Sequence, residues 1–141
     1  LWDGPLVVKG VLDSQDASPL RAAGVDAIWV SNHGGRQFDG APSALDALRQ
    51  IRATLGPEMP LIYDGGIESG LDVLRALAFG ANFAMLGRGW HYALGALGTQ
   101  GAPHLAQILR DDLASNMMQM GITRPEGAMS QAWARIPEPE S

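Results

Sequence analysis

The sequence predicts an α/β fold built from parallel β/α units, and three observations predict it. Four short runs of aliphatic and β-branched residues recur without polar alternation, as strands buried on both faces require. Longer segments with apolar residues at helical spacing separate them. Each run ends on a polar or charged group, which gathers reactive side chains at one edge of the sheet, where sites of parallel β/α folds are built.

The first strand is read at Leu6-Val7-Val8, ending at Lys9-Gly10. In the helix that follows, Ser18 is the expected cap and Pro19 the first helical residue, where a missing N–H does no harm, and Gly24 closes the helix. Ala27-Ile28-Trp29-Val30 is the second strand, ending at Ser31. The spacing of Leu45, Leu48, Ile51, Arg52 and Leu55 predicts a helix over 43–55, stopped by Gly56-Pro57. The third strand covers 60–63 and ends at Asp64. A helix over 69–79 then carries Val73, Leu74 and Leu77 on one face, with Gly80 after it. The fourth strand is read over 82–86, ending at Gly87-Arg88. A short helical stretch over about 91–97 precedes a long one over 103–120, in which Leu105, Ile108, Leu109, Leu113, Met117 and Met120 share a face opposite Gln107, Arg110, Asp111 and Ser115. The domain is read as 1–122. Periodicity fades beyond Gly121, so 123–141, ending in Pro137-Glu138-Pro139-Glu140-Ser141, is expected to be a mobile tail.

Composition limits the function classes. The 141 residues are 46% hydrophobic and 18% charged with net charge −5, which describes one globular domain and excludes a disordered chain. No Lys/Arg cluster offsets the negative balance, so neither nucleic acid nor an anionic membrane surface is an expected partner. The absence of cysteine removes disulfides, thiolate nucleophiles and Cys-based metal sites, fits a reducing cytoplasm, and leaves redox chemistry to a borrowed cofactor. No apolar run approaches the roughly 18 residues of a membrane span, and Leu1 followed by Asp3, Gly4 and Pro5 is no signal peptide. The expected location is cytoplasmic, with peripheral membrane association left open. His91 and His104 lack partners at metal-ligand spacing and are read as helix-surface or packing residues, so no metal is expected.

The strand ends carry Lys9, then Ser31-Asn32-His33, then Asp64, then Arg88. Their convergence on one rim points to an active site. Ser31-Asn32-His33-Gly34-Gly35-Arg36-Gln37 sets an imidazole and a guanidinium on a glycine-hinged loop, a pair suited to taking a proton from a substrate whose carboxylate the arginine grips. The competing reading is a solvated His33 with Arg36 paired to Asp39. Gly65-Gly66, with a helix starting just beyond at Ser69, and Gly87-Arg88-Gly89 one strand later both offer backbone N–H groups to a phosphate.

Together, Val8-Lys9-Gly10, the Ser31 to Gln37 string, Asp64-Gly65-Gly66 and Leu86-Gly87-Arg88 resemble the FMN-dependent α-hydroxy acid dehydrogenase and oxidase family, which includes L-lactate dehydrogenases, glycolate oxidases and mandelate dehydrogenases. The resemblance runs over 1–122 and implies the C-terminal half, strands five to eight, of a TIM (β/α)8 barrel. It implies FMN as cofactor and a small L-2-hydroxy acid, lactate-like, as the substrate oxidised to the 2-oxo acid. His33 is then the base that accepts the substrate's proton and Arg36 the carboxylate anchor. Lys9 lies beside the flavin pyrimidine edge with Ser31 also touching the flavin, and Asp64 binds the ribityl chain. Gly65 belongs to the cofactor site, and Gly66, Gly87 and Arg88 hold the phosphate.

Two departures qualify the resemblance. Glu68 stands where the family usually carries arginine, so either Glu68 points to solvent and the backbone with Arg88 suffices, or FMN binding is weakened. A barrel of this kind takes about 250 residues. The chain is therefore expected to be the C-terminal part of a longer protein, completed by a missing N-terminal half, with homo-oligomerisation also possible. The alternative is a non-catalytic half-barrel that self-associates or docks with a partner chain through its open strand edges.

Overall fold

A computed structural model describes residues 2–130; of the tail read over 123–141, the part 131–141 lies outside them. Strands β1 (Val7–Val11), β2 (Ala27–Val30), β3 (Leu61–Tyr63) and β4 (Phe83–Ala84) pair in that order, every pair parallel. Helices α1 (Ser14–Ala22), α2 (Ala44–Leu55) and α3 (Gly70–Ala78) make the three crossovers, and α4 (Arg88–Leu97) and α5 (Gly101–Met120) follow β4.

Side chains alternate across the sheet with the strand period of two. On one face Val11, Ile28, Val30, Leu61 and Tyr63 pack with Ala17, Leu48, Ile51, Leu55 and Ala76 from the helices into a single core. Ile28, Leu48, Ile51 and Leu61 are fully buried, each stabilising the fold by roughly 1.5–3 kcal/mol relative to exposure. The opposite face carries the register row Lys9, Trp29, Ile62 and Phe83 across all four strands. At its outer end Phe83 is 60% exposed, and Val7 on β1 is 42% exposed.

Local chemistry moves several boundaries. Helix α1 starts at Ser14 because the Asp13 carboxylate accepts from the Gln15 amide at 2.8 Å; Ser18 is no cap, and Pro19 lies inside the helix. Its missing donor falls on a solvent-exposed stretch, where the loss is tolerated. Strand β4 is shorter than the apolar run 82–86, although the Met85 amide still reaches the Tyr63 carbonyl at 2.8 Å. Helix α4 starts at Arg88, ahead of residue 91, because Gly87 takes the cap position, and α5 starts at Gly101, leaving Pro103 in its first turn. The apolar face of α5 divides: Leu113 packs toward α3, whereas Ile108 is 50% exposed. Past Gly121 the chain does not simply trail off, because Pro125–Ser130 forms 3-10 turns against α3 that bury Ala128 completely.

Candidate functional site

Three consecutive strands are tied together by one hydroxyl: Lys9 lies inside β1, which runs on through Val11 instead of ending before Lys9, whereas Ser31 and Asp64 directly follow β2 and β3. Ser31, 1% exposed at the end of β2, accepts from Lys9 Nζ at 2.7 Å and from the His33 amide at 3.1 Å, and donates to Asp64 Oδ1 at 2.5 Å. Its one donor and two acceptor positions are thus all used. Lys9 Nζ also donates to Asp64 Oδ2 at 2.8 Å, closing a ring of charge-assisted bonds at the sheet edge.

The loop after Ser31 is set by backbone geometry. Asn32 Oδ1 accepts from the Gly34 amide at 3.0 Å and the Asn32 carbonyl from the Gly35 amide at 3.0 Å, making a tight turn over His33–Gly35. His33 has φ 56°, the one non-glycine residue at positive φ among the described residues. That conformation costs a β-carbon-bearing residue roughly 1–2 kcal/mol and clusters at functional sites. The imidazole lies over Gly10, which has φ +92° and interrupts the register between Lys9 and Val11. Arg36 is exposed and, among the described residues, forms no ion pair with Asp39 or any other carboxylate.

After β3, the Tyr63 hydroxyl donates to the Gly65 carbonyl at 2.5 Å and pins the turn that presents Asp64. Burial, reinforced by Asp64, Asp72 and Asp46, pushes the Tyr63 phenol up to about 12. Gly65 has φ +128°, and a β-carbon there would meet that of Ala44 at 3.1 Å. Gly66 has φ +79° and open space around it.

The two helix N-termini expected to offer amides to a phosphate differ. At α3 they are occupied: Asp112 Oδ2 from α5 accepts from Gly70 at 2.6 Å and Leu71 at 3.3 Å, and Ser69 Oγ accepts from the Asp72 amide at 3.1 Å. Burial works to raise the Asp72 carboxyl, but hydrogen bonds from Ser69, the Glu68 amide and Arg75 outweigh it and hold it below the usual range. At α4 no side chain caps the helix after Gly87, so the first-turn amides at Arg88 and Gly89 stay open to an anion. The start of α4 and the space around Gly66 are thus left open, whereas the first-turn amides of α3 are taken.

Lys9, His33, Arg36, Asp64, Gly65, Gly66, Gly87 and Arg88 line one cavity of about 1160 Å³, with Trp29 in its wall and Ser31 just beneath. Its volume exceeds the usual small-ligand range. FMN fits these residues by donor chemistry: open amides and a guanidinium for a phosphate, a carboxylate for hydroxyls, and a cation beside them. Glu68 is exposed and also lines the cavity. His91 and His104 are surface residues of α4 and α5 at its edge, with His91 Nδ1 3.2 Å from the Gly87 carbonyl. Sequence reasoning missed the contact role of Gly10, the place of Trp29 beside Lys9, and Asp112 as the cap of α3; a glycine directly after Lys9, inside a run of valines, was the signal for the first.

The family model for FMN-dependent dehydrogenases matches residues 1–135. The chain is 45% identical over 125 residues to an L-lactate dehydrogenase of Pseudomonas syringae pv. syringae (strain B728a), which covers 89% of this chain and 33% of that protein. It is 46% identical over 112 residues to an L-lactate dehydrogenase of Haemophilus influenzae (strain PittEE), covering 79% of this chain and 29% of that one. Among solved structures, mandelate oxidase superposes with TM-score 0.86 at 39% identity over 91% of this chain and 37% of its own. Its complex with 3,3-difluoro-2-hydroxy-3-phenylpropionic acid gives TM-score 0.87 over 92% of this chain and 39% of its own. The chain thus spans about a third of the length of its curated relatives, and its four parallel strands correspond to part of a TIM-barrel fold.

Proposed function

The chain belongs to the FMN-dependent dehydrogenase family, and on that premise we propose that it is the part of an FMN-dependent 2-hydroxy acid oxidoreductase that carries the base, the carboxylate anchor and most flavin contacts. One observation carries the reading: Lys9 from within β1, and Ser31, His33 and Asp64 from the ends of β2 and β3, are knitted through the Ser31 hydroxyl at the edge of a cavity that Arg36 and Arg88 also line.

FMN, when bound, supplies the two-electron acceptor that turning a hydroxy acid into an oxo acid needs. This chain's own residues do the rest. His33 accepts the proton that leaves the small L-2-hydroxy acid, from a ring whose place is fixed by the turn and by Gly10. Arg36, with no competing carboxylate among the described residues, grips the substrate carboxylate through two parallel N–H bonds. Lys9 supplies positive charge at the flavin edge, Ser31 holds it there, and Asp64 accepts from the ribityl hydroxyls. Gly65 shapes the turn, Gly66 and Gly87 give amides to the phosphate, and Arg88 neutralises it. Glu68, exposed at the cavity wall, brings a negative charge that the amides and Arg88 have to outweigh. The exposed Val7 and Phe83 at the outer strands are the edges that the rest of the barrel covers.

The test pairs this chain with the preceding two thirds of an L-lactate dehydrogenase relative by co-expression. The expected complex shows flavin absorption bands that L-lactate bleaches, and His33→Ala keeps the bands but loses the bleaching. Undiminished bleaching in His33→Ala overturns the assignment of the base. Absence of bands from both the complex and the chain with added FMN favours a non-catalytic half-barrel instead.

A further inference from the structure

We propose that Trp29 is a positioning residue: its indole face holds the ammonium of Lys9 over the Ser31–Asp64 pair. Lys9 and Trp29 are register partners on adjacent strands, so their side chains rise from the same face of the sheet side by side. Lys9 Nζ sits 4.6 Å from the centroid of the indole ring, within cation–π range. The same nitrogen donates to Ser31 Oγ and Asp64 Oδ2, which leaves the ring as its third neighbour.

A lysine ends in a point charge on a flexible stem, and the side chain of Lys9 is 39% exposed toward the cavity. Two hydrogen bonds fix the nitrogen from the Ser31 and Asp64 side; the indole closes another direction. The ring is not located by its own polar handle, because Trp29 Nε1 is buried with no partner among the described residues. Buried tryptophans usually satisfy that N–H, and an aliphatic β-branched residue would suit a central strand without leaving a donor unpaired. What the indole adds at this position is its π face, and the cation over that face is Lys9.

The functional consequence rests on the flavin reading of Lys9; the positioning itself does not. Lys9 is the single lysine of the chain, the other nine of its 10 Lys and Arg side chains being arginine. Lysine-selective carbon-13 labelling of the 141-residue chain therefore yields one set of ε-methylene signals. These are expected upfield of free lysine, to move to the free position in Trp29→Leu, and to keep part of the displacement in Trp29→Phe. Should Trp29→Leu not fold, the Phe variant and Lys9→Met, read from the Trp29 indole signal, decide the same point. Signals at the free-lysine position in the parent chain, or unmoved by loss of the ring, would overturn the proposal. In the complemented complex, FMN titration is expected to show a dissociation constant raised about threefold by Trp29→Leu and less by Trp29→Phe, in keeping with a part-exposed cation–π contact. A complex that binds no FMN would count against the flavin reading alone, since the ε-methylene position still decides on Trp29.

Discussion

The imidazole of His33 rests on the bare α-carbon of Gly10: a β-carbon built there would lie 2.8 Å from Cε1 and 3.0 Å from Nε2. The proposed base is therefore placed by a glycine on the neighbouring strand as much as by its own loop. In Gly10→Ala the new methyl meets the ring, and the backbone at φ +92° is strained for any residue with a β-carbon. The expected cost is about 1–3 kcal/mol in urea unfolding, with the His33 ring signals displaced in NMR spectra and lactate-dependent bleaching lost in the complemented complex. A variant with native His33 signals would show that Gly10 does not seat the ring.

Tyr63 gives the alkaline limb of stability a defined sign. Its phenol is pushed up to about 12 in the fold against an ordinary value of 10.0. Between those two pH values the unfolded chain releases the proton and the folded chain keeps it, so this contribution is whole below 10 and fades as pH rises toward 12. Tyr63→Phe is expected to lose about 1 kcal/mol at neutral pH with the bond to Gly65, and to show a shallower decline above pH 10. Parallel stability curves for the two proteins would remove Tyr63 as the source.

Asp112 and Gly70 make a paired prediction at the junction of α3 and α5. A β-carbon on Gly70 would lie 2.2 Å from the Leu113 amide nitrogen and 2.6 Å from its α-carbon, backbone atoms that cannot swing aside. Gly70→Ala should therefore force the helices apart and cost about 3 kcal/mol or more, the upper range for overpacking. Asp112→Ala uncaps α3 and frees the Asn116 amide that donates to Asp112 Oδ1 at 3.0 Å, at about 1–2 kcal/mol, and Asp112→Asn keeps most of the cap. Equal losses in the two alanine variants, read from urea midpoints, would contradict the close approach of the backbones.

What the sequence made legible followed from local rules. Ala27-Ile28-Trp29-Val30 could only be a buried strand, and that alone put Ser31 and His33 at the sheet edge; Ser69 and Gly56 bounded their helices through the cap chemistry of their own residue types. Pro19 misled because its preference for a first helical position is weaker than an aspartate capping at Asp13. The contacts that needed tertiary structure were out of reach. Nothing local says that Lys9 stands opposite Trp29, which depends on strand register, or that Asp112, far along the chain, occupies the amides of α3 while the start of α4 keeps no side-chain cap. The positive φ of His33 likewise emerges only when the loop is closed by Asn32 and roofed over Gly10.

Arg52 was legible as a member of the α2 face but not as what it is, the clasp of the sheet's lower end. Its Nε and Nη2 donate to the Gly80 carbonyl at 2.8 and 2.6 Å, its Nη1 to the carbonyls of Gly56 and Met59 at 2.7 and 2.8 Å, and its Nη2 to Asn82 Oδ1 at 2.7 Å. Asn82 Oδ1 in turn accepts from the Leu61 amide at 2.8 Å, so one guanidinium joins the end of α2 to the starts of β3 and β4. Burial lowers its pKa, yet a guanidinium stays charged throughout the working range. Arg52→Met keeps the packing of the stem and leaves the carbonyls unpaired, for an expected loss of about 3 kcal/mol. Arg52→Lys restores the charge but not the planar fork, and should recover less than half of that loss. Hydrogen exchange of the Leu61 amide should accelerate in both variants, more so in the methionine one. Full recovery by lysine would mean that charge, not the fork of directed bonds, holds this end of the sheet.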